Sequence, residues 1–227
     1  MHSYGQYCPI AKGAEIFADR WTPLILRELL ADAHRFSDIY RGLPGISRSL
    51  LVSRLRLLER AGVVERRPIG TGDASGYHLT DGGQELRPVV MALGEWAARR
   101  AFGDPEPSDL KPEVLMGWIA RRVNRDLLPD RRVLVRFDLQ GTPKRWWWML
   151  LEPADVSVCR QDPGFDLDLS VTADLADLYR VWLGRMSFGE ARREGSVRVE
   201  GSTSLVQAFP RWLALSPLAP AVRAGGR

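Results

Sequence analysis

The chain has 227 residues, of which 45% are apolar and 26% charged, and a net charge of +4. That length holds one large domain or two small ones with a real core, and the composition excludes disorder throughout. No apolar run approaches the ~18–20 residues of a membrane span, and residues 1–10 lack the cationic start and apolar stretch of a secretory signal. Two cysteines, Cys8 and Cys159, and three scattered histidines, His2, His34 and His78, offer neither a disulfide framework nor metal-ligand spacing. The expectation is a cytoplasmic protein without metal or cofactor, and not an enzyme.

The cations are nearly all arginine; lysine occurs only at Lys12, Lys111 and Lys144. Between Arg35 and Arg67 there are eight arginines against three acids, so this one segment carries more excess charge than the whole chain. A local basic stretch in a near-neutral chain is the footprint of a nucleic-acid face. The bland alternative is a solvated surface in an arginine-rich chain.

In chain order, Pro9 opens a first helix with Ile10, Ala14 and Phe17 on one face, and Thr22-Pro23 opens a second that carries Leu26, Leu29 and Leu30 inward. Ser37 is expected to cap a third, closed by Gly42-Leu-Pro-Gly45. Ser47 caps a fourth that runs to Ala61, with Leu51, Leu55 and Leu58 inward. The opposite stripe holds Ser49, Ser53, Arg56 and Arg60, with Arg48 in the first turn and Arg54 beside it, and contains no acid. Residues 63–67 and 77–80 flank a glycine-rich turn and make a hairpin. A last helix over about 81–100 carries Leu86, Val89, Leu93 and Trp96, with a kink expected at Pro88.

Helix, short turn, helix and hairpin is a winged helix-turn-helix order. The fourth helix is then the element that enters a major groove, and the hairpin lies on phosphates or in the minor groove. The expected DNA contacts are Ser37, Arg41, Ser47, Arg48, Ser49, Ser53, Arg54, Arg56, Arg66, Arg67 and Thr71.

The motifs Tyr7-Cys-Pro-Ile10, Arg20-Trp-Thr-Pro-Leu-Ile-Leu-Arg-Glu-Leu-Leu30, Arg35-Phe-Ser-Asp-Ile39, Pro44-Gly-Ile-Ser47 and Tyr77-x-Leu-Thr-x2-Gly83 resemble the HxlR-type winged-helix transcriptional regulators over about residues 5–100. The resemblance implies a homodimer, paired through the first and last helices of this domain, on a pseudo-palindromic operator in double-stranded DNA. Two features depart from the pattern: Asp19-Arg20 stands where Gly-Lys is usual, and the wing is rich in glycine. A cysteine in the position of Cys8 serves some such proteins as a thiol switch, at a helix N-terminus that favours thiolate; plain packing is the alternative. Cys159, in a strand, is expected to be buried and inert.

Residues 103–112, with three prolines and three acids, read as a linker between domains 1–102 and 113–216, and residues 217–227 as a frayed tail. The second domain is expected to hold a helix over 112–127, strands over 132–139, 145–151, 156–159, 165–171 and 196–201, a helix over 174–185 and a closing helix over 202–215. The overall class is α+β, a winged helix-turn-helix domain followed by an α/β domain. The run Asp-Leu-Ser-Val-Thr-Ala-Asp174 and the pattern Gly195-x-Val-x-Val-x-Gly-x3-Leu205 resemble sterol-carrier-protein-type domains. That resemblance implies a curved sheet backed by helices around an apolar site, and an effector role for an apolar small molecule. Its expected lining is Phe137, Trp147, Phe165, Leu178, Trp182 and Met186.

Three local patterns invite sharper readings. Trp146-Trp-Trp148 sits on a strand, so only Trp146 and Trp148 share a face. Asp166 and Asp168 read as the wet face of a strand rather than paired catalytic carboxylates. Gly70-x-Gly-x3-Gly76 precedes no helix and is not a phosphate cradle. The competing functions are a lipid or small-molecule carrier, or modifying protein, whose winged helix only dimerises; a thiol-switch regulator acting through Cys8; and an interaction protein without an effector.

Overall fold

A computed structural model describes residues 3–69 and 74–225. The chain divides into two compact units, Met1–Gly94 and Glu95–Arg227.

The first unit contains α1 (Pro9–Phe17), α2 (Thr22–Leu30), α3 (Phe36–Arg41), α4 (Arg48–Arg60), the hairpin β1 (Val64–Pro68) and β2 (Ser75–Leu79), and α5 (Asp81–Gln84). Helix α6 (Arg87–Arg100) runs across the division. Proline stands in the first turn of α1 and of α2, where its missing N–H costs nothing. Ile25, Leu26 and Leu29 of α2, Ile39 of α3, and Leu51, Leu55 and Leu58 of α4 meet Val64, Tyr77 and Leu79 of the hairpin in one buried cluster. Each of these leucines contributes roughly 1.5–3 kcal/mol by burial. Leu58 and Val63 are joined by a backbone hydrogen bond of 3.0 Å that turns the end of α4 into the hairpin.

Thr80 ties the hairpin to α5. Its hydroxyl accepts from Gly83 N–H at 3.0 Å and donates to the Gly62 carbonyl at 2.6 Å, capping that helix. Any side chain at Gly83 would run into the Val63 carbonyl, so this junction needs glycine.

Three expectations are corrected here. Ser37 is not a cap: α3 starts two residues earlier than such a cap implies, at Phe36 after Arg35 in extended conformation, and Phe36 packs against the core. Pro88 does not kink a long helix; the chain breaks into α5 and α6, and Pro88 falls in the first turn of α6. Ile10 does not face inward; it is 83% exposed, and Ala11 is the buried residue of α1.

The second unit is built on β3 (Val133–Gln140), β4 (Trp146–Leu151), β5 (Val156–Cys159), β6 (Leu169–Asp174) and β7 (Val197–Gly201), in the order β5-β4-β3-β6-β7. β3 and β6 are parallel and the other neighbours antiparallel. Alternation along β3 sends Val133, Val135, Phe137 and Leu139 to the core face. Helices α7 (Pro112–Arg121), α8 (Leu175–Trp182), α9 (Phe188–Arg193) and α10 (Thr203–Trp212) bury their apolar stripes against that face. Phe209 packs there with ring centroids 6.2 Å from Phe137, 6.0 Å from Phe188 and 5.9 Å from Trp212.

The strand expected from Phe165 begins only at Leu169, and Phe165 and Leu167 are exposed. Asp168 stops the ladder: its carboxylate accepts from Leu134 N–H at 2.9 Å and from Arg131 at 2.8 Å, so it is more than a wet-face residue. The helix expected over 112–127 ends at Arg121, because Asn124 N–H turns to the Trp212 carbonyl at 2.8 Å. The segment read as a linker is held by Arg185, which bonds Asp104 at 3.0 Å and the Phe102 carbonyl at 2.8 Å. The tail is not frayed through its length: α11 (Ala219–Gly225) buries Ala219 and Val222, and Arg223 donates to the Gly184 carbonyl at 2.9 Å.

Candidate nucleic-acid interface

Ser47 adopts extended conformation and its hydroxyl accepts from Leu50 N–H at 3.2 Å, which starts α4. With Leu51, Leu55 and Leu58 fully buried beneath, Ser49, Ser53, Arg56 and Arg60 are all exposed on the outer stripe. Among the described residues neither Arg56 nor Arg60 has a carboxylate within ion-pair distance. Arg48 is exposed at the start of the helix with its guanidinium 5.1 Å over the Tyr40 ring.

Several expected contacts have other partners. Ser47's oxygen serves the helix N-terminus and lies 3.1 Å from Ser49 Oγ. Arg54 is turned away from the stripe to Asp19, at 2.6 Å, with both side chains largely buried. Arg66 donates to the Tyr77 hydroxyl at 2.5 Å, stacks on that ring and lies 3.3 Å from Glu59. Arg67 pairs with Glu65 on its own strand, and Arg41 with Asp38 at 3.3 Å. The Arg41 and Arg67 side chains are more than half exposed, so their pairs are weak and exchangeable for a phosphate; Arg54's is not. Ser37 is exposed on α3, and Thr71 lies outside the described residues.

Arg35, which belongs to the basic segment but is absent from the expected contacts, is exposed at the start of α3 without a carboxylate partner among the described residues. Among the arginines of the basic segment, Arg35, Arg48, Arg56 and Arg60 are thus the ones without a carboxylate partner among the described residues. Only the three-dimensional pairing of the other arginines separates these from the rest.

The hairpin is attached to the α2–α3 turn by His34. Tyr77 N–H donates to the His34 carbonyl at 2.9 Å, His34 Nδ1 lies 3.1 Å from the Tyr77 carbonyl, and the His34 and His78 rings stack at 4.0 Å. Burial, and then the charges of His34 and Arg67, hold His78 below the usual histidine range.

Cys8 is a free, half-buried thiol at the N-cap of α1, making no capping bond; Cys159 is also free and half-buried, not fully buried as expected. Of the expected effector lining, Phe137, Trp147, Leu178 and Trp182 are core residues and Met186 packs against them. Phe165 does not join them; it is exposed, with the Arg132 guanidinium 4.0 Å over its ring. A shallow, open depression lies at Gly189, Arg192 and Arg193. Among the described residues no cluster of three His, Cys, Asp or Glu could hold a metal ion, and no helix is long and apolar enough to cross a membrane.

A buried three-helix core, a helix with an exposed serine–arginine stripe and a following hairpin define a protein of the winged helix-turn-helix class. Residues 16–103 match the HxlR-like helix-turn-helix family, and residues 123–214 match the SCP-2 sterol transfer family. The HTH-type transcriptional regulator YvaP of Bacillus subtilis is 39% identical over 94 residues, which are 40% of this chain and 87% of that one. The HTH-type transcriptional regulator Rv3095 of Mycobacterium tuberculosis is 36% identical over 88 residues, 38% of this chain and 55% of its own length. The solved structure of the reduced form of the regulator YodB from B. subtilis shares 31% identity, with a TM-score of 0.36, over 42% of this chain and 96% of that one. The chain belongs to the HxlR-like helix-turn-helix family of transcriptional regulators.

Proposed function

We propose that the protein is a sequence-specific regulator that binds double-stranded DNA as a homodimer, with α4 in the major groove and the hairpin beside it. The observation that carries this reading is the acid-free stripe Ser49, Ser53, Arg56 and Arg60, exposed opposite a fully buried leucine row. Serine and arginine are residues that meet base edges, while Arg35 and Arg48 suit phosphates.

Dimerisation through α1 and α6 is supported by the apolar side chains those helices leave in water. Ile10 is 83% exposed, and Val89, Leu93 and Trp96 are 45%, 46% and 56% exposed. Val89, Leu93 and Trp96 recur at helical spacing, which makes one continuous unpartnered stripe on α6. Two copies of such a surface meet as an isologous interface, the arrangement that matches a pseudo-palindrome.

The second unit serves in this reading as an effector domain for an apolar small molecule, with Phe137, Trp147, Leu178, Trp182 and Met186 at its site. The match of residues 123–214 to the SCP-2 sterol transfer family supports that role. The test is an electrophoretic mobility shift on the protein's own upstream DNA, alongside sedimentation velocity. A dimer that shifts DNA, with the shift lost in Arg56→Ala, supports the reading. A monomer, or a shift indifferent to Arg56, counts against it.

A further inference from the structure

We propose that the face of the second unit's sheet turned away from helices α7–α10 binds a small aromatic carboxylate, with Arg136 as its counter-ion and Trp148 and Trp146 as its stacking surface. This site is separate from the apolar one beneath the sheet, because Phe137 and Trp147 point to the opposite face.

Strand register builds the row. Arg136 on the central strand β3 stands opposite Trp148 on β4 and Ser170 on β6, and Trp148 stands opposite Cys159 on β5. The Arg136 guanidinium lies 5.0 Å over the Trp146 ring and donates from Nη2 to Ser170 Oγ at 3.3 Å. Its Nε is buried and has no acceptor. The acid nearest in sequence on the same face, Asp138, is taken by Arg145 through two bonds of 2.9 Å. Arg136 is therefore a half-buried cation with no carboxylate partner among the described residues.

A cation kept partly from water without a counter-ion is costly, and an arriving anion recovers that cost. One guanidinium and one neutral hydroxyl balance a single negative charge. A planar carboxylate fits the guanidinium fork with two parallel bonds, whereas a phosphate dianion would stay half compensated. The indole N–H groups of Trp146 and Trp148 make no hydrogen bond among the described residues, while Trp147 donates to the Lys144 carbonyl at 2.9 Å. Trp146 is 43% exposed and Trp148 half-buried, so both rings offer area and a donor to an aromatic body.

The experiment titrates the full chain with 2-naphthoate and reads the tryptophan indole resonances, assigned with Trp→Phe variants. The expected result is a saturable shift at Trp146 and Trp148, weaker by about tenfold or more for neutral 2-naphthamide. Arg136→Gln loses the binding and Arg136→Lys keeps part of it. No saturable shift, a shift at Trp182 and Trp212 instead, or naphthoate affinity unchanged in Arg136→Gln overturns the proposal. Should Arg136→Gln not fold, Trp148→Leu takes its place, and unchanged affinity there overturns it equally. DNA binding by the same samples is scored separately, so a failed operator assay does not decide this one.

Discussion

Asp19 Oδ2 and Arg54 Nη2 lie 2.6 Å apart and join the α1–α2 turn to the middle of α4, with side-chain exposures of 29% and 26%. Asp19 stands where the related pattern carries glycine, so an apparent departure from the family supplies a strut for α4. Arg54→Ala leaves Asp19 without its partner, at a cost of about 1–3 kcal/mol. Urea denaturation followed by circular dichroism checks this, and the salt dependence of DNA binding is expected to stay unchanged in the variant.

Arg56 is the converse case. Its side chain is exposed and unpaired among the described residues, so Arg56→Ala leaves stability within about 0.5 kcal/mol. DNA binding is expected to weaken by roughly 1–3 kcal/mol, with relaxed base preference if the guanidinium reads guanine. Fluorescence anisotropy on operator and scrambled DNA measures both. Equal discrimination by wild type and variant would contradict the assignment.

The stacked His34–His78 pair makes the hairpin's attachment sensitive to acid. The pKa of His78 is lowered in the folded chain, by burial first and by His34 and Arg67 next, with Glu65 opposing. As pH falls the unfolded chain therefore takes up this proton before the folded one. The contribution is fully present above about pH 6.5 and is lost as pH falls toward the folded value. The first thermal transition is expected to drop between pH 7.5 and pH 5, and His78→Phe to flatten that dependence.

In the proposed dimer the interface is the stripe on α6. Leu93→Glu places a charge in the middle of an apolar surface formed with Val89 and Trp96, and a buried unpaired charge costs several kcal/mol. Sedimentation velocity is expected to show a monomer that retains its helical content and has lost most of its operator affinity.

Much of this architecture was legible in one dimension because it rests on local rules. Pro9, Thr22-Pro23 and Ser47 mark helix starts, and the Leu51, Leu55, Leu58 spacing orients α4 before any contact is known. What failed depended on distant partners. Phe165 and Leu167 alternate like a strand, yet Asp168 ends the ladder by bonding Leu134, 34 residues away. Arg54, Arg66 and Arg56 look alike in sequence, and only folding brings Asp19 and Glu59 to the first two. Helix α9 has a readable Ser187-x-x-Glu190 capping box but only six residues, and α11 is held by contacts to Gly184 that no local pattern announces.

The central claim is tested most directly by selecting sheared fragments of the source genome on the purified protein, eluting with a salt gradient and sequencing what is held. The account predicts one or a few pseudo-palindromic intergenic sites retained to higher salt than bulk DNA, and lost from the Arg56→Ala protein. Recovery of fragments without sequence preference, released together at low salt, would contradict it.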